Sequence, residues 1–363
     1  MPTARRNSRR ALLAAAALAT TAAMAAPVTA QAAAPTGPTV TVIASNLLNP
    51  RKITVLPDGG LLVAESGAGL ASCAAGQTCA GATGAIYLAD RHWQGTVVSG
   101  LESAATTPTT AGSALEANGP VQALPDGHGG FVVLAGTDNA TTRAALGPAG
   151  AVSGTLYRAG SGQVISDLVG YEFAHDPDGQ AAPESNPFGM VATPGGGWQV
   201  ADAGANDVLG ITANGTTTTT AVIPYSVVAG TSQESVPSAV VRGHDGALYV
   251  SDLGGMQTGG SQIWRLLPGR APQLVAGGLT DIVDLAVDPQ GNLVALSLTA
   301  GYGATGAAPG GLFKISTSTG QVTAIPTGDL LQMPTGLAIG PQGQIYVSNN
   351  GTGTDGQLVQ VHP

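Results

Sequence analysis

The chain has 363 residues, of which 54 are Gly and 24 are Pro, whereas charged residues make up only 10% and aromatic residues only 4%. A hydrophobic share of 43% excludes a disordered chain, because disordered chains lack the apolar side chains that a core requires. Long amphipathic helices are also excluded, since Glu, Lys and Arg are too few to cover their outer faces. This composition is typical of a turn-rich, all-β protein.

The first 32 residues have the pattern of a secretory signal peptide. An alanine-rich apolar run is followed by a small-x-small cleavage site at residues 30–32 and is preceded by four arginines, Arg5, Arg6, Arg9 and Arg10. Residues 8–13 match the twin-arginine export pattern, and an ordinary Sec signal with a chance arginine pair is the alternative. We therefore expect a secreted protein in which residues 1–32 are removed and residues 33–38 form a short flexible segment, with no membrane span left after cleavage.

Removal of this segment would make the chain strongly acidic. The four arginines would be lost without any acid, so nine basic residues would face 22 acidic ones, a net charge of −13. Such a charge excludes nucleic acid as a partner and disfavours an anionic membrane surface. The partner expected from this balance is a small molecule, a glycan or another protein, and we expect the chain itself to be a monomer.

Two cysteines, Cys73 and Cys79, lie six positions apart in an Ala/Gly-rich stretch. In an exported chain this spacing predicts a local disulfide, because the oxidising compartment preserves such bonds and no CxxC redox or zinc motif is present. The closed loop is short, so the loop-entropy model gives a modest stabilisation of about 2 kcal/mol.

One pattern recurs six times along the chain. A polar or Pro corner precedes a short apolar strand, a turn containing Pro, Asp or Gly follows, and a second apolar strand ends in a polar residue. The copies span residues 49–65, 118–136, 186–202, 236–252, 282–297 and 333–349. Pro presets φ in such turns, Asp binds its own backbone and Gly accepts a positive φ. Each copy is therefore predicted to be a tight antiparallel hairpin.

Further apolar stretches predict two more strands after most hairpins. The third strands are expected at residues 84–88, 154–158, 208–211, 262–266, 311–315 and 357–361, and the fourth at 96–98, 163–165, 220–223, 273–275 and 321–325. The missing outer strand of the sixth unit is available in residues 39–44, whose pairing with the C-terminal strand would close the ring and remove two edges. The predicted fold is a six-bladed β-propeller of four-stranded antiparallel blades, forming a single domain over residues 39–363. Small residues on first strands are expected to crowd near the axis: Gly189, Ala192, Gly336 and Ala338.

The repeats resemble NHL-type six-bladed repeats, and four segments are similar to the ScyD/ScyE family of exported proteins. These segments are residues 186–189, 201–207, 282–286, and 334–336 together with 348–351. The resemblance extends over about residues 38 to 363. It implies a propeller fold and an export route. It implies no reaction, because the family is named only for its association with the biosynthesis of the pigment scytonemin.

Polar residues are predicted to surround one mouth of the central channel. In each hairpin the corner and the end of the second strand lie at the same end, which groups Asn49, Asn118 and Asn186 with Glu65, Asp202, Asp252 and Asn349. Asp284 is the one acid inside a first strand, where it is either an inward ligand or a buried structural carboxylate. Oxygen ligands of this kind suit Ca²⁺ or another divalent cation, as in propellers of the gluconolactonase type, and the candidate metal ligands are Glu65, Asn186, Asp202 and Asp284. The alternative is that these groups only satisfy backbone groups at strand ends.

A second acidic group lies in an insertion, residues 172–179, with Glu184 just beyond it. It lacks the ligand spacing of a calcium loop, so we expect a solvated lid. The alternative is that it lines a ligand pocket.

No catalytic motif is found in the sequence. There is no Gly-x-Ser-x-Gly elbow, no HExxH and no P-loop, and the five histidines are scattered. This favours a secreted binding or scaffold propeller over an enzyme. The alternative is a divalent-metal-dependent lactonase, lyase or hydrolase at the channel mouth, using Glu65, Asn118, Asn186, Asp202 or Asp284. Sugar oxidation with a quinone cofactor would need basic and His groups that the mouth largely lacks.

Overall fold

The recurring hairpins form the inner two strands of six sheets that are arranged as a ring. The structure, a computed structural model, describes residues 37–110, 113, 115–137, 140–180, 182–303 and 306–363. The predicted signal peptide and most of the 33–38 segment lie outside the described residues. Each of the six principal sheets contributes four antiparallel strands to a blade, which confirms the predicted six-bladed β-propeller.

The N-terminal strand closes the ring, as the sequence predicts. β1 (Thr39–Leu47) is the outer strand of the last blade, where it pairs antiparallel with the C-terminal strand. The strands are given from the axis outward. Blade 1 contains β2 (Pro50–Val55), β3 (Leu61–Glu65), β4 (Thr78–Ala89) and β5 (Gln94–Thr106), with a short β6 (Ala117–Asn118) added at its edge. Blade 2 contains β7 (Pro120–Pro125), β8 (Phe131–Ala135), β9 (Thr155–Arg158) and β10 (Val164–Asp167), and blade 3 contains β11 (Pro187–Ala192), β12 (Trp198–Asp202), β13 (Asp207–Ile211) and β14 (Thr217–Val222).

The second half of the ring follows the same order. A small hairpin of β15 (Ser226–Val228) and β16 (Thr231–Gln233) precedes blade 4, and a second one of β23 (Tyr302–Gly303) and β24 (Gly306–Ala307) is inserted in blade 5. Blade 4 contains β17 (Pro237–Arg242), β18 (Leu248–Asp252), β19 (Ser261–Leu266) and β20 (Gln273–Leu279); blade 5 contains β21 (Ile282–Val287), β22 (Leu293–Ser297), β25 (Gly311–Ile315) and β26 (Val322–Ile325); and blade 6 contains β27 (Gly336–Ile339), β28 (Ile345–Asn349), β29 (Gly356–His362) and β1.

Hydrophobic clusters lie between successive blades. One cluster joins Ile53 of blade 1 to Ala338 of blade 6, and another joins Leu134 of blade 2 to Met190 of blade 3. Each blade therefore buries apolar side chains on both faces, which explains the nearly continuous hydrophobic runs of its middle strands.

A backbone irregularity at the start of the inner strands positions the residues nearest the mouth. In five blades the pairing register of the first hairpin shifts between the first residue of the inner strand and a residue two or three positions later. In blades 3 and 5 the unpaired residues are Phe188 and Val283. Such bulges re-aim side chains, and here they supply residues to the channel mouth.

The insertions include two short helices, α1 (Ala140–Leu146) and α2 (Leu168–His175), and two 3₁₀ turns at Gly147–Gly150 and Gly254–Met256. The expectation of a solvated lid at residues 172–179 is wrong for its first part, because Glu172 belongs to α2 and is buried. The helix begins at Asp167, whose carboxylate accepts a hydrogen bond from the Gly170 N–H. Its buried residues are Leu168, Val169 and Glu172. Because Glu172 lies on the same face of the helix as the two apolar residues, burial of that face also buries its carboxylate.

The predicted disulfide between Cys73 and Cys79 is confirmed. It joins the loop after β3 to the second residue of β4, at the end of the ribbon that β4 and β5 form beyond the blade. Within the described part of the chain, no helix is both long and apolar enough to cross a lipid bilayer.

Candidate functional site

The central channel contains two cavities separated by a layer of side chains. The larger one, here called the mouth cavity, has a volume of about 880 Å³ and opens at the end where the corners before the inner strands lie. The smaller, lower cavity of about 380 Å³ is lined by the middle of the inner strands. The mouth cavity is lined by the corner residues Asn118, Asn186 and Met333, so the corners lie at its rim.

The floor of the mouth cavity is largely apolar. Phe188 and Val283 occupy the bulged positions of their inner strands, and Leu253, Leu298 and Met333 surround them. One wall comes from the ribbon of blade 1 and the following segment, which contribute the hydroxyls of Thr106 and its neighbours Thr107, Thr109, Thr110 and Ser113. The cavity thus combines an apolar base with a hydroxyl-rich side.

Arg51 supplies a positive charge to the mouth cavity. Its Nε donates to Ser66 Oγ (3.2 Å) and its Nη2 donates to the Ala117 carbonyl (2.9 Å), so two bonds fix the plane of the guanidinium. Burial lowers the pKa of Arg51, and the nearby Glu116 carboxylate opposes this shift. Because an arginine carries five N–H donors, the two fixed bonds leave donor capacity for a ligand.

Lys52 and Asp284 form the layer beneath this floor. The Lys52 ammonium donates to Asp284 Oδ1 (2.8 Å) and to the carbonyls of Val283 (2.6 Å) and Ser238 (3.0 Å), and both side chains are almost fully buried. The second oxygen of Asp284 accepts from the Leu337 N–H (2.7 Å). The structure therefore places Asp284 in a structural ion pair, the second of the two possibilities that the sequence left open.

The side chain of Asn49 makes only structural hydrogen bonds to backbone groups. It is fully buried, with φ of 48°, and its Nδ2 donates to the carbonyls of Gly67 (2.9 Å) and Leu115 (2.8 Å). Its Oδ1 accepts from the Gly353 N–H (2.9 Å). Asparagine tolerates a left-handed backbone because its side chain can bond locally, and here that side chain ties the first blade to the last.

The other two corner asparagines, Asn118 and Asn186, both line the mouth cavity. Asn186 Oδ1 accepts a hydrogen bond from the Thr137 N–H (3.2 Å), which joins blade 3 to the end of blade 2. These two are the only members of the predicted set of eight that line this cavity in the described structure.

The strand-end residues Glu65 and Asn349 bind the corner that precedes their own hairpin. Glu65 Oε2 accepts from the Leu48 N–H and Asn349 Oδ1 accepts from the Gln332 N–H, each at 2.7 Å. Burial raises the pKa of Glu65, and the bond from Leu48 counteracts part of that shift. In blades 1 and 6 a polar residue at this position therefore holds the chain where it enters the inner strand.

Asp202 also binds the corner that precedes its own hairpin, and it accepts hydrogen bonds from more donors. Its carboxylate accepts from Ser185 Oγ and from the N–H groups of Asn186 (both 2.6 Å), Gly204 (3.1 Å) and Ala205 (3.2 Å). Burial nevertheless raises its pKa to about 6. Asp252 instead binds the next strand, accepting from the Gln262 N–H (2.7 Å) and from Trp264 Nε1 (2.8 Å), and burial raises its pKa to about 7.

The four predicted metal ligands are not gathered at one point. Asp284 lines the lower cavity, Asn186 lines the mouth cavity, and Glu65 and Asp202 line neither. Across the described residues, no three His, Cys, Asp or Glu side chains converge in a geometry that could hold a metal ion. The donor set at the mouth, two amides and the exposed Glu116, therefore fits a resident divalent cation poorly.

The mouth cavity is also lined by three residues that were not predicted from the sequence, Arg51, Phe188 and Tyr302. The signal that could have found the first two is position, since each directly follows the Pro that begins an inner strand. Tyr302 lies on the inserted hairpin of blade 5, and nothing in the repeat pattern indicates where that hairpin folds.

Comparison with known proteins finds a similar architecture in solved structures of low sequence identity. No protein-family model matches the chain, and no curated protein matches it either. A Bacteroides thetaiotaomicron protein of unknown function has a TM-score of 0.51 at 12% identity, covering 90% of this chain and 76% of its own. A structural-genomics protein classed provisionally as a gluconolactonase has a TM-score of 0.50 at 12% identity, covering 90% and 93%. The virginiamycin B lyase of Staphylococcus aureus has a TM-score of 0.48 at 15% identity, covering 90% and 88%.

The chain shares its fold with the first two of these proteins. At such identities the likeness extends to the architecture and to no particular residue.

Proposed function

We propose that this chain is a binding protein whose ligand is a small molecule held in the mouth cavity. The observation that carries the proposal is the coincidence of an apolar floor and a fixed guanidinium in one cavity of about 880 Å³. Ligand sites commonly have volumes between about 300 and 1,000 Å³ and combine apolar walls with a few oriented polar groups.

The chemistry of the lining defines the ligand class. Phe188, Val283 and Leu298 favour an apolar or aromatic body, while Arg51 favours a carboxylate, sulfonate or other anionic oxygen group. The hydroxyls of residues 106–113 can bind further oxygens of the ligand. The inferred ligand is therefore an amphipathic organic anion.

The resemblance to the ScyD/ScyE family and the predicted signal peptide support a secreted role for this binding protein. The Cys73–Cys79 disulfide is consistent with an extracellular location, because such bonds persist in oxidising compartments. We propose that the chain acts as a monomer outside the cell, capturing its ligand at the exposed mouth of the ring.

A lactonase, lyase or hydrolase with its site at the same mouth is the second candidate. It is supported by the likeness to the provisionally classed gluconolactonase, which shares the ring architecture along most of both chains. Because the mouth donors fit a resident metal poorly, we derive no metal-dependent step. Here Arg51 would bind the anionic oxygen of a substrate.

Binding of an amphipathic anion can be tested with anilinonaphthalene sulfonate, a fluorescent probe that joins an apolar body to a sulfonate. We expect one probe per chain, and Arg51→Gln should raise the dissociation constant about tenfold, the loss of one charged hydrogen bond. Arg270→Gln is the matched control, since it removes the same charge from an exposed turn outside the cavity. Equal affinity in all three proteins would refute the assignment.

Turnover separates the two candidates. Hydrolysis of a panel of sugar and aromatic lactones should not exceed the buffer rate if the chain only binds its ligand. A rate above buffer that is lost in Arg51→Gln and kept in Arg270→Gln would establish the enzyme instead.

A further inference from the structure

The mouth cavity is lined by one basic and one acidic side chain. Among its described lining residues, Arg51 carries the positive charge, Glu116 carries the negative charge, and all the others are uncharged. The cavity therefore presents two opposite charges to anything that enters it. An anionic group on the ligand accounts for Arg51 and leaves Glu116 without a role.

The backbone places Glu116 close to Arg51. Glu116 directly precedes Ala117, whose carbonyl accepts the hydrogen bond from Arg51 Nη2 at 2.9 Å. The two charges are nevertheless not paired, since neither residue takes part in any of the five ion pairs formed by the described residues. The carboxylate of Glu116, an exposed residue, is thus open to a cationic group of a ligand.

Tyr302 adds an aromatic ring that such a cationic group can contact. It belongs to the inserted hairpin of blade 5, lines the mouth cavity and is 52% exposed. Burial raises the pKa of Tyr302, and the charges of Asp281 and Glu116 add to the shift. An ammonium group is attracted both to a carboxylate and to the face of a tyrosine ring, so Glu116 and Tyr302 suit the same chemical group.

Phe188 suits the uncharged body of a ligand instead. The Lys52 nitrogen lies 5.2 Å from the centroid of the Phe188 ring, and Lys52 lines the lower cavity while Phe188 lines the mouth cavity. The ring therefore separates the Lys52 ammonium from the ligand space. A second cation over this ring would be repelled by the first, which leaves its open surface to apolar or aromatic groups.

A ligand with only negative charge is opposed by its surroundings. Glu116 repels it inside the cavity, and the chain as a whole carries a formal net charge of −9, which repels it on approach. An added ammonium group turns the first repulsion into an attraction. It also makes the ligand neutral overall, which removes the second.

We propose that the mouth cavity selects amphipathic zwitterions, with Arg51 binding the anionic group and Glu116 binding an ammonium group at the other end of an apolar or aromatic body. This inference rests on the proposed binding function and narrows its ligand class from organic anions to those that also carry an amine. Tyr302 contacts the ammonium group, and Phe188 supports the body of the ligand.

Two probes of similar size isolate the contribution of the ammonium group. The first, 4-(aminomethyl)benzoate, carries a carboxylate and an ammonium group at opposite ends of a benzene ring. The second, 4-(hydroxymethyl)benzoate, has an uncharged hydroxyl in place of the ammonium group. We expect the wild type to bind the first about three- to fivefold more tightly, the contribution of one solvent-accessible ion pair. Ligand-observed NMR titrations of the full chain give both dissociation constants.

Glu116→Gln should abolish this preference and tighten the binding of 4-(hydroxymethyl)benzoate, because it removes the negative charge and keeps the size of the side chain. Glu184→Gln is the matched control, since it removes another exposed acid that does not line the cavity, and it should keep the wild-type ratio. Substitutions at exposed positions of this kind leave the fold intact. Equal affinities for the two probes in the wild type, or a preference that persists in Glu116→Gln, would overturn the proposal and leave Glu116 as a solvated rim carboxylate.

Arg51→Gln distinguishes failure of this inference from failure of the binding function. Both probes carry the carboxylate, so this variant should raise both dissociation constants by a similar factor. If both probes depend on Arg51 but bind equally well to the wild type, the zwitterion inference alone fails. If neither probe binds, or if neither depends on Arg51, the proposed binding function fails and the zwitterion inference fails with it.

Discussion

Lys52 of blade 1 and Asp284 of blade 5 meet across the channel, with 2.8 Å between the ammonium nitrogen and the nearer carboxylate oxygen. Lys52 also donates to blade 4 through the Ser238 carbonyl, and Asp284 accepts from blade 6 through the Leu337 N–H. Burial lowers the pKa of Lys52 and raises the pKa of Asp284, and their mutual attraction opposes both shifts. One ion pair therefore connects four of the six blades at the axis.

Breaking this pair should destabilise the ring strongly. Lys52→Met leaves Asp284 buried without its counter-charge, and Asp284→Asn does the same to Lys52, so each should lower the free energy of unfolding by about 3–5 kcal/mol. The double variant should cost clearly less than the sum, because it leaves no unpaired charge. Urea denaturation of the four proteins gives the coupling energy, and simple additivity would contradict this account.

A second Lys–Asp pair provides the control for that cycle. Lys314 lies 2.9 Å from Asp288, a similar distance, but its side chain is 45% exposed. Exposed pairs contribute little, so Lys314→Met should change the free energy of unfolding by less than about 1 kcal/mol.

The fold was predictable because its determinants are local. The turn of each hairpin is encoded by adjacent residues, as in Pro57-Asp58-Gly59, where Gly59 has a φ of 88° and Asp58 accepts the Gly60 N–H. Six such hairpins at matched spacing admit few architectures. The ring closure by β1 was also predictable, because the last unit has only three strands of its own.

The candidate site was predictable only in position. The sequence predicts that Glu65 and Asp202 face the mouth, but neither lines the cavity, because backbone N–H groups already occupy their oxygens. It also indicates a solvated Glu172, because a short helix such as α2 has no long periodic pattern. Glu172 is buried because α2 packs through Leu168 against blades 2 and 3, a contact that no local pattern encodes.

The inner strands of blades 1 and 6 pack closely at Gly336. A Cβ on Gly336 would lie 2.1 Å from the Arg51 carbonyl oxygen, a backbone atom that cannot rotate away. Gly336→Ala should therefore lower the free energy of unfolding by about 1–3 kcal/mol. Gly195→Ala is the matched control, because a Cβ there meets nothing within 4 Å. Equal urea midpoints for the two variants would show that blades 1 and 6 are less tightly packed than the structure indicates.

Ring closure by β1 can be tested by truncation. A chain beginning at Leu48 lacks β1 and exposes the edge of β29, which pairs with it over Thr39–Leu47 in the intact ring. We expect a lower unfolding midpoint and concentration-dependent association, because an unpaired edge recruits other strands. A chain beginning at Gly37 retains β1 and should remain monodisperse in light scattering. Identical behaviour of the two chains would mean that β1 contributes nothing to closure.

Asp252 should make stability decrease with rising pH. Its pKa is raised by burial to about 7, above the value of about 4 for an unfolded chain, so the folded state holds a proton that the unfolded state releases between these values. The contribution of Asp252 is therefore fully favourable below about pH 4, is lost as the pH rises to about 7, and amounts to a few kcal/mol. The side chain of Asp252→Asn cannot titrate. As the pH increases, the free energy of unfolding of the wild type should therefore fall relative to that of the variant. Urea denaturation at both ends of that window measures the shift, and a difference that stays constant with pH would show that Asp252 remains ionised in the folded ring.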